Sequence, residues 1–330
     1  MKKYHVYAIG NAMVDMEFTV ADTFFAEHKI DKGVMTLVDE TQQHTLYEAL
    51  KASDGKRASG GSAANTIIAL SHFGGKGYYA CKVANDETGD FYVNDLSNAG
   101  VATNLHAERE SGVTGKCLVM ITPDAERTMH TFLGISEKVS AQEIDEAAIA
   151  ASEFVYLEGY LVTGESSRPT AVRVRELAEK HGVKTALTFS DPNMVNFFKD
   201  GLNAMLGNGV DLLFCNQQEA LTWAETDNLD AATEKLQTIA KTFVITLGGD
   251  GALVFDGDTY HGIRPYPTKA IDSNGAGDMF AGAFLYAITH GHSYADAGQF
   301  ASRAAAKVVS QFGPRLAAEQ HPAIKADHGL

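Results

Sequence analysis

A chain of 330 residues, 45% hydrophobic and 21% charged, can bury a large core and has an ordinary globular composition. It fits one large α/β domain with an appendage, or two domains. A formal charge of −15 excludes broad binding to nucleic acid or anionic membrane, which needs a basic stripe. It leaves room for a phosphorylated ligand held by backbone N–H groups and a metal.

The opening "MKKYHVYAIG" alternates like a strand (5–10) and lacks the apolar block of a signal peptide. No stretch approaches the roughly 18 apolar residues of a membrane span, so a cytoplasmic protein is expected. Asn11 and Asp15 follow in "GNAMVDM", read as an exit loop at the carboxyl end of that strand, where parallel sheets bind ligands. A carboxylate there can accept from two vicinal sugar hydroxyls; the plainer alternative is a solvated loop acid. Residues 33–38, "GVMTLV", predict a strand in place of a crossover helix. In "ASGGSAANTIIALSHFGG" (58–75) a glycine turn precedes Ser62, a good N-cap, and a helix over 62–73. Asn65 falls in its first turn, so a polar ligand could meet both the Gly61 N–H and the Asn65 amide. Taken alone, the stretch favours the plainer alternative: a glycine turn, a serine cap and a tolerated asparagine.

A helical pattern covers 87–98. Residues 115–122 and 127–133 predict a hairpin around "PDAE". With 33–38 they form either a small separate sheet or an antiparallel extension of the main one. Strands over 153–161, 183–189, 210–216 and 242–248 alternate with helices over 167–181, 230–240, 277–290 and 296–311. That alternation predicts an α/β fold with a mainly parallel sheet covered on both faces. Asn216 and Glu219, in "FCNQQEA", share one helical face at i, i+3, suited to a hydrated Mg²⁺ or to a capping pair. "VITLGGDGALVF" reads as strand, glycine turn, strand. Cys81, Cys117 and Cys215 sit in or beside apolar runs and are expected to be buried, reduced thiols. The polar end "AEQHPAIKADHGL" is expected to be a poorly fixed tail.

The densest stretch is "DSNGAGD" (272–278), between a strand-like "GIRPYPTKAI" and a helical "MFAGAFLYAI". Gly275-Ala276-Gly277 would start a helix, where unpaired N–H groups and the dipole favour an anion. Asp278 in the first turn is then a proton acceptor, or an ordinary helix-start acid. No G-x-x-x-x-G-K-[ST], H-E-x-x-H or G-x-S-x-G pattern occurs, and Phe280 stands where G-x-G-x-x-G needs its third glycine.

Taken in order, "GNAMVD", "GGSAAN", "NQQE", "TLGGDG" and "DSNGAGD" resemble the motifs of the ribokinase-like (PfkB) sugar and nucleoside kinases, over roughly residues 4 to 316. "GNAMVDM" and the segment from "TFSDPN" to "NQQEA" look most like the adenosine kinase branch. The resemblance implies a Rossmann-like α/β core (1–11, 39–98 and 135–330) with a small β-sheet lid (12–38 and 99–134). It implies transfer of the ATP γ-phosphoryl group to the 5′-hydroxyl of a ribonucleoside, adenosine first, with Mg²⁺ and with K⁺ as a further candidate. Asp278 matches the base, and Gly275, Ala276 and Gly277 the anion hole. Asp15, Asn11, Gly61 and Asn65 match the ribose-binding positions, with Tyr160 and Phe132 as aromatic surface for a base. Asn216, Thr246, Gly248 and Gly251 match the nucleotide-binding positions, Glu219 an indirect Mg²⁺ position and Asp272 the monovalent-cation position. Competing readings are a kinase for ribose, fructose or a related sugar, and a non-catalytic nucleoside sensor. Either a monomer or a homodimer is compatible.

Overall fold

The run "YHVYAI" turns Val6 and Ala8 to one side and Tyr7 and Ile9 to the other, and all four are fully buried. A strand clothed on both faces belongs inside a sheet with helices above and below. The computed structural model, which describes residues 2–51, 55–105, 108–123 and 126–329, has this architecture. Its strands are β1 (Tyr4–Ile9), β2 (Met13–Thr19), β3 (Met35–Leu37), β4 (Lys56–Gly60), β5 (Gly77–Ala80), β6 (Gly115–Ile121) and β7 (Arg127–Phe132). They continue with β8 (Ser152–Glu158), β9 (Lys184–Thr188), β10 (Val210–Asn216), β11 (Ala240–Thr246), β12 (Ala252–Phe255) and β13 (Tyr260–Ile263).

The large sheet runs β13-β12-β11-β10-β9-β8-β1-β5. Its strands from β5 to β11 are parallel, and β12 and β13 close one edge antiparallel. Alternate residues feed two separate cores. Phe154, Tyr156, Leu212, Phe214 and Val244 face one, while Val155, Leu157, Leu213, Cys215 and Ile245 face the other.

The helices are α1 (Asp22–His28), α2 (Glu40–Leu50), α3 (Ser62–His72), α4 (Glu87–Asn98), α5 (Glu146–Ala150), α6 (Ser167–Lys180) and α7 (Pro192–Phe197). After them come α8 (Lys199–Leu206), α9 (Gln217–Ala224), α10 (Leu229–Leu236), α11 (Ala276–Thr289), α12 (Tyr294–Val308) and α13 (His321–His328). Helices α3, α11 and α12 pack on the first core; α6, α8 and α10 pack on the second. No described helix is long and apolar enough to cross a membrane.

A second sheet, β3-β7-β6-β2-β4, stands apart from the first. The predicted hairpin is present as the antiparallel β6–β7 pair; residues 124 and 125 of its turn lie outside the described residues. The sheet also takes Lys56–Gly60, which pairs antiparallel with β2 and which the sequence had placed in the core segment 39–98. It is mixed, since β2–β6 and β3–β7 run parallel.

Other expectations change as well. Asp15 lies within β2 and not in an exit loop. The strand of 153–161 stops at Glu158 and gives way to a 3-10 turn, Gly159–Thr163. "GIRPYPTKAI" is extended only to Ile263. The C-terminal tail is helical: α13 buries His321 and Ile324, and the Lys325 Nζ donates to the Phe73 carbonyl at 3.0 Å, capping the far end of α3.

Candidate active site

A cavity of about 510 Å³ opens where the carboxyl ends of the parallel strands meet one face of the small sheet. That is where an open α/β sheet places its ligands. The large sheet contributes Asn11, Glu158, Thr188, Asn216 and Thr246; the small sheet contributes Met13, Asp15, Met35, Leu37, Cys117 and Met129.

Two glycines shape one corner of the cavity. Gly275 is the N-cap of α11 at φ 74°, and a Cβ there would lie 2.2 Å from the Pro314 carbonyl oxygen. Gly61 is the N-cap of α3 at φ 101°, and a Cβ would lie 2.2 Å from the Asn11 carbonyl oxygen. Side chains are excluded from both positions, so the two helix N-termini come close to the cavity as bare backbone. Because Gly61 is the N-cap, Ser62 is released from the capping role expected of it. Its hydroxyl donates to Asp278 Oδ1 at 2.6 Å, and Asn65 Nδ2 donates to Asp278 Oδ2 at 3.0 Å. Asn65 Oδ1 is buried without a protein partner.

Burial raises Asp278 to about 6, with the bonds from Ser62 and Asn65 pulling it down. It is therefore ionised at neutral pH and still basic enough to take a proton. Burial raises Asp15 to about 7, against the pull of the Arg315 guanidinium. Gly275 and Gly277 line the cavity; Ala276 does not, and its N–H donates to the Ser273 carbonyl at 3.3 Å. The structure thus brings Asn11, Asp15, Gly61, Asn65, Tyr160, Asn216, Glu219, Thr246 and Asp278 into one cavity with the two glycines.

Other expected residues fall elsewhere. Phe132 is on the opposite face of β7, because Met129, Thr131 and Leu133 take the cavity side at period two. Gly248 opens and Gly251 closes a 3-10 turn, Gly248–Asp250, just past the end of β11 and outside the cavity wall. Glu219 forms a complete capping box with Asn216: its oxygens accept from the Asn216 N–H at 2.9 Å and from Asn216 Nδ2 at 2.8 Å. Burial raises its carboxyl to about 7. Among the described residues no three acidic, histidine or cysteine side chains cluster as metal ligands. The two oxygens of Glu219 are both engaged by Asn216. Asp272 does not fit a monovalent cation. Its Oδ2 is 2.9 Å from Arg127 Nη2 and accepts from the Gly313 N–H at 2.8 Å, while Oδ1 accepts from the Asn274 N–H. A guanidinium already neutralises that carboxylate.

The sequence reading missed Glu158, Ser62 and Arg127. Glu158 is 1% exposed at the end of β8, and its one sequence signal was a lone acid closing an apolar strand. Arg127 extends from the small sheet to the Asp272 loop and also pairs with Glu17 of β2 at 3.3 Å, so it ties that sheet to the loop leading into α11.

Comparison with known proteins agrees with this geometry. The family model described as pfkB family carbohydrate kinase matches residues 28–321. The chain is 26% identical to an adenosine kinase of Saccharomyces cerevisiae, over 94% of this chain and 96% of that one. Its fold superposes with a TM-score of 0.87 on an adenosine kinase from Sinorhizobium meliloti, at 32% identity over 98% and 99% of the two chains. A "probable sugar kinase protein" from Rhizobium etli gives a TM-score of 0.88 at 30% identity, over 99% and 100%. The chain belongs to the pfkB family of carbohydrate kinases, phosphotransferases that act on an alcohol group.

Proposed function

We propose that the protein transfers the γ-phosphoryl group of ATP to the 5′-hydroxyl of a ribonucleoside, adenosine in the first place. The observation that carries this reading is the Asp278 carboxylate, gripped by Ser62 and Asn65 at the N-terminus of α11, in the same cavity as Asp15. Phosphoryl transfer needs little beyond positioning, charge stabilisation and a base aligned on the nucleophile. Asp278 takes the hydroxyl proton as the new P–O bond forms. The N–H groups around Gly275 and Gly277, at the positive end of the α11 dipole, receive the phosphoryl oxygens. Kinases of this family use ATP with Mg²⁺; Asn216 and Glu219 would hold the ion through its water shell, and it would supply charge neutralisation to the phosphates.

The sugar is held by polar groups that lack protein partners for part of their capacity. Asp15 accepts from ribose hydroxyls, and the buried Asn65 Oδ1 accepts one more. The opposite wall is apolar. Met35 and Leu37 are 55% and 63% exposed on β3 and turn toward the cavity along with Met129 and Leu133. Tyr160 stands across from them in the 3-10 turn after β8, its hydroxyl 3.5 Å from the Ser190 carbonyl oxygen. A flat purine would cover this apolar surface and a free sugar would leave it wet, which favours a nucleoside. The Rhizobium etli neighbour keeps a sugar acceptor as the second reading.

The test is ADP release with adenosine, inosine, ribose and fructose as acceptors. A KM for adenosine at least about tenfold below that for ribose is expected, from burial of one apolar face. Equal kcat/KM on ribose and adenosine would refute the nucleoside assignment. Binding of adenosine without ADP release on any acceptor would refute the kinase reading and leave a sensor.

A further inference from the structure

We infer that Glu158 is a positioning residue whose two carboxylate oxygens tie the end of β1 to the first turn of α3, fixing the sugar-binding side of the cavity relative to the base. The inference rests on the kinase reading above. Glu158 Oε1 accepts from the Asn11 N–H at 3.2 Å, and Oε2 accepts from the Ala63 N–H at 2.8 Å. Asn11 reaches the cavity from β1. Ala63 sits between Gly61 and Asn65 and directly follows Ser62, whose hydroxyl holds Asp278. One carboxylate therefore spans the two backbone segments that present the hydroxyl readers and the base's anchors.

The chain reserves space for it. A Cβ on Gly10 would lie 2.3 Å from Glu158 Oε2, so only glycine lets the carboxylate reach both amides. Among the described residues no Lys, Arg or His forms an ion pair with Glu158; burial raises its carboxyl to about 7, against the pull of the Ala63 and Asn11 N–H groups. The titratable groups facing it are Asp278 of α11, Tyr79 of β5, Cys81 just beyond, Tyr92 of α4, Tyr156 of its own strand and Tyr160. The Asp278 carboxylate adds a small upward push to Glu158.

Glu158→Gln keeps the shape but sets an NH₂ group against one of the two amide donors, loosening one of the two ties. We expect a loss of about 100-fold in kcat/KM for the nucleoside with the KM for ATP unchanged, the scale of a misplacement near 1 Å. A merely structural acid would lower the kcat/KM for both substrates together, so the split between nucleoside and ATP is the deciding readout. A wild-type kcat/KM for the nucleoside would overturn the inference while leaving the kinase reading intact. So would a loss shared equally by ATP and nucleoside. Wild-type protein with no turnover on any acceptor would overturn both. Should Glu158→Gln fail to fold, the wild-type amide resonances of Asn11 and Ala63 decide: one shared pH titration supports the bridge, and independent titrations overturn it.

Discussion

Replacing Asp15 by asparagine should make the protein more stable and a poorer binder at once. Burial raises the Asp15 carboxyl from an ordinary 3.8 to about 7, a difference of about 3 units. At roughly 1.4 kcal/mol per unit this is about 4 kcal/mol, and water in the open cavity reduces it to about 2–4 kcal/mol. The sign follows from proton counting. Between about pH 4 and pH 7 the unfolded chain has lost the proton while the folded chain keeps it, so stability falls as pH rises through that window and stays low above it. An asparagine side chain carries no charge to desolvate, so the variant gains nothing near pH 4 and about 2–4 kcal/mol near pH 8. At about 2 °C per kcal/mol for a chain of this size, the unfolding midpoint near pH 8 should rise by about 4–8 °C. The same change removes charge-assisted acceptance from two ribose hydroxyls, a loss of about 3 kcal/mol or about 10²-fold in nucleoside affinity. Calorimetric unfolding at both pH values, with and without adenosine, reads both effects. A variant less stable than wild type near pH 8, or equally stabilised at both pH values, would refute the reasoning.

Turnover should fall as pH drops through about 6, because a protonated Asp278 cannot accept the hydroxyl proton; a kcat/KM profile flat from about pH 5 to pH 8 would contradict this. The Arg127–Asp272 pair is nearly buried, its side chains 11% and 8% exposed. Arg127→Met and Asp272→Leu should each cost about 3–5 kcal/mol in denaturant unfolding, and the double variant much less than their sum. Additive costs would mean the two charges do not interact. Deleting residues 318–330 should lower the unfolding midpoint by several degrees, since it removes buried His321 and Ile324 and uncaps α3; an unchanged midpoint would return the tail to the loose state expected from its sequence.

The parts of this site readable from sequence were those whose signal is local. β1, β8, β10 and β11 announce themselves by buried apolar runs, and "DSNGAGD" by glycines packed against acids at a helix start. The pairing of Asp278 with Asn65 was not local, and only the resemblance to a family brought them together. β4 escaped assignment to the small sheet because "KRASG" has no apolar alternation; its place is set by hydrogen bonding to β2. Phe132 was misjudged because nothing in "RTMHTF" says which of its two alternating faces meets the cavity. Asp272 was placed beside a monovalent cation by the family resemblance alone, and its partner Arg127 is far away in sequence. The tail read as loose because its anchors, a buried histidine and the lysine cap on Phe73, belong to tertiary contacts and not to any apolar period. In each case the missing information was a distant partner.

The most direct test is steady-state ADP formation by Asp278→Asn, measured together with adenosine and ATP binding. The account predicts a fall in turnover of at least about 10²–10⁴-fold, the usual contribution of a positioned base, with both ligands still bound at near wild-type affinity. Turnover close to wild type would contradict the assignment of Asp278 as the proton acceptor.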